Sequence, residues 1–189
     1  MSGSVPSAPG NDAAAAGDNT VLSGRDSSVC GHDAAGLVTL ATRLGITVGT
    51  AESLTGGAVA SEIVTVAGAS SCFEGAVVSY SHAVKEHVLG VSRELLERVG
   101  AVDADVAAAM ARGAREALGV DWAVSTTGVA GPEPHDGHPV GTVFVGVSGP
   151  TGDSSHRLAL TGDRTGIRAA TVARAIDILT TQIAFTANA

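Results

Sequence analysis

A chain of 189 residues fits one domain, and 44% hydrophobic residues with a mean hydropathy of +0.29 allow a substantial core. Aromatics make up only 3%, so that core is aliphatic and built of closely approaching layers. A net charge of −8 argues against nucleic acid as a main partner, because backbone binding needs clustered Lys and Arg; a small anionic ligand needs only one or two local cations.

Residues 1–32 are rich in Ser, Gly, Ala, Asp and Pro, show no periodicity, and are expected to form a disordered tail ahead of a domain over 33–187. Residues 34–44 read as a helix, with Leu37, Leu40, Ala41 and Leu44 on one face and Gly45 as its stop. A short β-rich run, 46–50, leads into the polar segment AESLTGG and a helix over 58–66. Residues 75–81 form a second strand, followed by a helix over 82–89 ended by Gly90. Ser92 caps a helix through Val99, and Asp103 caps another over 106–118. A third strand, 122–126, opens into the loop TGVAGPEPHDGHP. Two β-like runs, 140–147 and 156–160, flank GPTGD as a hairpin, and a long helix runs over 164–184. Strands alternating with helices, plus one hairpin, predict a single three-layer α/β/α domain with a mixed, mostly parallel sheet.

Cys30 and Cys72 lie far apart and make neither a CxxC pair nor a metal-ligand spacing. No basic segment followed by an apolar run marks a secretory signal, and no apolar run approaches the roughly 20 residues that span a bilayer. A soluble, cytoplasmic protein that does not engage membranes is the expectation.

Four segments carry candidate chemistry. In TVGTAESLTGG, Ser53 follows a strand and precedes two glycines and a helix, a geometry that exposes a hydroxyl while the N–H groups of Thr55, Gly56 and Gly57 converge on an anion. An ordinary helix cap reads the same residues equally well. In SYSHAVK stand the only tyrosine, Tyr80, and the only lysine, Lys85, against ten arginines. A lone lysine in such a chain points to a job arginine cannot do, giving up its proton as a base once burial lowers its pKa. Serine is a poor nucleophile until a neighbouring base takes its proton, and Ser–Lys pairs are one solution. His82 and His87 read as surface residues.

The third segment places Thr126, Thr127 and Gly128 outside a strand's C-terminus, where open α/β sheets bind ligands. His135, Asp136 and His138 follow in a glycine-proline loop without a fourth ligand, so no metal is expected there. In the fourth, LTGDRTGIR, Asp163 or Thr165 caps the last helix, and Arg164 or Arg168 could offer a fork to a phosphate.

Taken in order, TAESLTGG, VVSYS with a lysine after it, TTGVAGP, PVGTVFVGV and TGDR with a downstream IR resemble the C-terminal domain of the competence/damage-inducible protein CinA, over roughly residues 35–184. The resemblance implies a nicotinamide-nucleotide amidase, converting nicotinamide mononucleotide to nicotinic acid mononucleotide and ammonia without metal or other cofactor. It implies Ser53 as nucleophile and Lys85 as its base, with Tyr80 and Thr127 orienting or polarising groups around them. The loop N–H groups of 55–57 would hold the oxyanion or the phosphate, with Thr126 and Gly128 beside them and Arg164 near the phosphate. Two departures stand out: Leu54 where many relatives have Cys, and the loop PEPHDGHP in place of a glycine-rich one. Rival readings are an inactive member of the fold that binds a nucleotide or a protein partner, and an amidase for another small carboxamide. A homodimer is left open.

Overall fold

Side-chain caps set most of the helix starts. Asp33 accepts from the Gly36 N–H at 2.8 Å to open α1 (Ala34–Leu44), and Ser81 accepts from Val84 to open α3 (His82–Leu89). Ser92, Asp103 and Asp163 do the same for α4 (Arg93–Val99), α5 (Ala104–Leu118) and α6 (Arg164–Ala187). The helix α2 (Ala58–Val64) has no such cap, because its cap position is Gly57. These elements belong to a computed structural model that describes residues 33–189; the tail expected over 1–32, with Cys30, lies outside the described residues.

The five strands are β1 (Val48–Glu52), β2 (Phe73–Val78), β3 (Trp122–Gly128), β4 (Thr142–Gly149) and β5 (Gly152–Ala159), in the spatial order β2-β1-β3-β4-β5. β2, β1 and β3 pair in parallel, while β4 pairs antiparallel with both β3 and β5. The sheet is therefore mixed, with β4 alone running against the other strands.

Alternation along the strands feeds two cores. On one face, Val48, Trp122, Val124, Val143, Val145 and Val147 pack against α1, α2 and α6 through Leu37, Val59, Ile63, Ile176 and Leu179. On the other, Ala51 and Ala123 pack against Leu89, Leu96, Val106 and Met110 of α3, α4 and α5. These are the three layers the alternation of elements predicts.

Boundaries shift where caps and ladders compete. β1 lies over 48–52 rather than 46–50, which puts Ser53 immediately beyond its last residue. β2 stops at Val78, short of Tyr80, because Ser81 must turn out to cap α3. β3 continues through Thr127 and Gly128, since β4 pairs along their whole length. A 3₁₀ turn at Ala69–Ser71 has no counterpart in the periodicity.

Close approach of α5 to the end of α3 depends on Gly113, where an added Cβ would overlap the Leu89 carbonyl. Backbone cannot yield as a side chain can, so Gly113→Ala is expected to destabilise the fold by about 1–3 kcal/mol. The urea midpoint at constant m-value measures it.

Candidate active site

Consecutive residues at the end of β1 face opposite sides of the sheet. Glu52 goes to the α2 side and is fully buried, its carboxylate accepting from the N–H groups of Gly57, Val59 and Ala60 at 2.8, 3.0 and 2.8 Å and from the Thr50 hydroxyl at 3.2 Å. A carboxylate thus takes the place of the missing α2 cap, where N–H groups and helix dipole favour negative charge. Between them the chain turns sharply through Gly56 and Gly57, at φ 62° and 96°. Arg168 holds the same turn from α6, donating to the carbonyls of Leu54 and Thr55 at 3.0 and 2.6 Å.

Ser53 extends the ladder by donating its N–H to the Thr126 carbonyl at 2.9 Å, and its side chain turns to the α3 side. There it meets Lys85. The Lys85 Nζ lies 3.0 Å from Ser53 Oγ and donates to the Ser79 carbonyl at 2.7 Å. Its side chain has no exposed surface. Burial disfavours the ammonium and pulls the Lys85 pKa from 10.5 down to about 8, against an opposing pull from the negative charge of Asp136.

A cleft of about 160 Å³ opens over this pair, lined among others by Tyr80, His82, Thr127, Gly128, His135 and Arg164. Tyr80 is 66% exposed, and its hydroxyl accepts from Arg164 Nη2 at 3.3 Å while Arg164 Nη1 donates to the Gly131 carbonyl at 2.8 Å. Thr127 donates its hydroxyl to the Ala101 carbonyl at 2.6 Å. Gly128 can carry no side chain, since a Cβ there would sit 2.7 Å from the Thr142 carbonyl oxygen. Two larger hollows, of about 430 Å³ beside Phe185 and about 400 Å³ between Leu95 and Arg112, contain neither Ser53 nor Lys85.

The fold thus brings Ser53, Lys85, Tyr80, Thr127, Gly128 and Arg164 to one place. It sends others elsewhere. Thr55 and Thr126 are buried, their hydroxyls 2.7 Å apart and bonded to each other, so neither faces the cleft as a substrate group. The Gly57 N–H, expected to meet a substrate anion, is already taken by Glu52. Gly56 serves the turn. His135 and His138 bridge backbone to backbone while Asp136 turns inward, and among the described residues no three His, Cys, Asp or Glu gather as a metal-binding group. Sequence reading missed Glu52, Asp136 and the part played by Arg168; two glycines in place of a side-chain cap were the one hint of Glu52.

The family model of the CinA C-terminal domain matches residues 33–183 of this chain, most of its length. The chain belongs to the CinA C-terminal domain family. A CinA-like protein of Frankia casuarinae is 45% identical over 138 residues, covering 73% of this chain and 32% of that protein. One of Parasynechococcus marenigrum is 46% identical over 147 residues, 76% of this chain and 35% of its own length. The chain therefore spans about a third of these relatives. Among solved structures, a CinA superfamily protein of Klebsiella pneumoniae aligns with a TM-score of 0.78 at 30% identity, covering 80% of this chain and 96% of that one. One of Escherichia coli aligns with the same TM-score at 29% identity, over 86% and 96%. No helix among the described residues of this CinA domain is long and apolar enough to cross a membrane.

Burial of Lys85 leaves a mark on stability. Its folded pKa is depressed, so the unfolded chain binds the extra proton between about pH 8 and 10.5, and stability rises with pH across that window. Lys85→Met should abolish that part of the slope, which urea unfolding at several pH values reads directly.

Proposed function

We propose that this CinA-family domain is a serine amidase that deamidates nicotinamide mononucleotide. The observation that carries the reading is the fully buried Lys85 amine 3.0 Å from the Ser53 hydroxyl, at the floor of a cleft with an arginine on its wall. Arginine cannot replace a base, and a lysine with its pKa near 8 is neutral often enough near neutral pH to act as one.

Neutral Lys85 takes the Ser53 proton, and Ser53 Oγ bonds to the carboxamide carbon. The carbonyl electron pair moves onto oxygen, where N–H groups of the turn after Ser53 that Glu52 does not claim stabilise it; a donor of this kind is worth about 3–4 kcal/mol. The C–N bond then breaks, the departing nitrogen takes the proton from Lys85, and ammonia leaves. Water attacks the ester with Lys85 again as base, releasing the carboxylate product and restoring Ser53. One Lys85 N–H stays on the Ser79 carbonyl throughout, which aims the lone pair at Ser53. Arg164, held against Tyr80 and Gly131 at the rim, meets the phosphate.

The second reading, an amidase for a different small carboxamide, draws on the loop PEPHDGHP, whose His135 lines the cleft. An inert binding protein would have no use for a buried lysine on a serine hydroxyl.

Ammonia release from nicotinamide mononucleotide by purified protein tests the proposal. Ser53→Ala should lower turnover by about 10⁶-fold, and Lys85→Arg should abolish it in a folded protein. Release should persist in EDTA. No release by folded wild-type protein overturns the substrate, and near-normal activity of Lys85→Arg overturns the base.

A second expectation concerns pH. Because Lys85 works as the neutral amine, kcat/KM should rise through about pH 8 and level off above it. A profile flat from pH 6 to 9 contradicts Lys85 as base.

A further inference from the structure

Asp136 belongs to the loop over 132–139, and it is not a solvated loop residue. Its Oδ2 accepts from the N–H groups of Ala101 at 2.6 Å and Val102 at 3.3 Å, in the turn between α4 and α5. That turn can admit it only because position 100 is glycine: a Cβ on Gly100 would overlap the Asp136 carboxylate. Asp136 also holds a left-handed backbone, φ 49°, which Asp adopts more readily than most residues and which Gly137 continues at 73°. His135 closes the contact from outside, its Nε2 3.4 Å from Asp136 Oδ1.

The contact reaches the cleft by two routes. Ala101 and Val102 line it, and the Ala101 carbonyl accepts the Thr127 hydroxyl, so whatever holds residues 100–102 also holds Thr127. His135 lines the same cleft and is carried by the same loop. The charge matters too. Lys85 has no exposed surface, and the other ionisable groups on the cleft are Tyr80, His82, His135 and Arg164. Asp136 is the group whose charge acts on the Lys85 amine.

We propose that Asp136 is a positioning residue of this site, strapping the 132–139 loop to the Gly100–Val102 turn that lines the cleft and placing a negative charge behind that wall of the Ser53–Lys85 site. Its meaning for turnover rests on reading Ser53 and Lys85 as nucleophile and base; its physical content does not. The strap fixes the wall carrying Thr127 and His135, and the carboxylate sets how readily the amine keeps its proton.

Because Lys85 is the only lysine, ¹³C-lysine labelling of the full chain gives one side-chain signal whose chemical shift against pH reads its titration without any assay of turnover. Asp136→Asn keeps an oxygen to accept from Ala101 and Val102 and removes only the charge. Loss of a negative neighbour disfavours the ammonium, so the Lys85 midpoint should move below that of the wild type. Asp136→Ala removes the strap as well, and amide exchange at Ala101 and Val102 should quicken about tenfold. Gly100→Ala, which alters no charge, should lower the Lys85 midpoint by displacing the carboxylate. In active protein, the acid limb of kcat/KM should follow the midpoint downward in Asp136→Asn. An unshifted lysine titration in Asp136→Asn, or unchanged exchange in Asp136→Ala, overturns the proposal. Failure of the amidase reading would show instead as inert protein in which these shifts still occur.

Discussion

A lysine amine with no exposed surface is an expensive thing to keep charged, and the architecture around Ser53 follows from how this one is accommodated. Lys85 is given two partners, a carbonyl and a hydroxyl, and no directly bonded carboxylate. A carboxylate in contact would have restored the ammonium and destroyed its basicity. Among the described residues, the negative charge that acts on it comes from Asp136, whose carboxylate is itself engaged by two backbone N–H groups and a histidine. Desolvation outweighs that pull, which is why the pKa falls to about 8 rather than staying at 10.5.

Strand geometry solves the remaining difficulty. Glu52 is fully buried and adjacent in sequence to Ser53. Alternation across the pleat sends it to the other face, where three N–H groups of the α2 start satisfy it. The same carboxylate thereby rigidifies the turn that follows Ser53, and Arg168 fixes that turn from α6. Two buried ionisable groups of opposite sign are thus satisfied separately, Glu52 by backbone N–H groups and Lys85 by a carbonyl and a hydroxyl. Turn glycines at 56 and 57 then serve structure more than ligand, because their helix start already holds an anion.

Much of the scaffold was legible because its signals are local. Caps at Ser92 and Asp103, stops at Gly45 and Gly90, and the hairpin at GPTGD each act within a few residues. Strand ends were less legible, since pairing decides them: β3 reaches Gly128 only because β4 lies beside it. Among site residues, rarity singled out Lys85 and Tyr80, and order of motifs singled out Ser53. Thr55 and Thr126 misled, because a threonine beside a glycine looks the same whether its hydroxyl meets a ligand or another threonine 71 positions away.

The sequence by itself determined the class of fold, the presence and order of the six α-helices, the family and the identity of a serine and a lysine suited to each other, all properties of short-range pattern and residue chemistry. Only the tertiary structure decided that Ser53 and Lys85 touch, that Glu52 occupies the helix start, and that Asp136 reaches from a loop to a turn 35 residues away. Those depend on which side of a strand each residue faces and on which backbone donors are left unpaired. Both are fixed when strands pair and helices dock, not by neighbours along the chain.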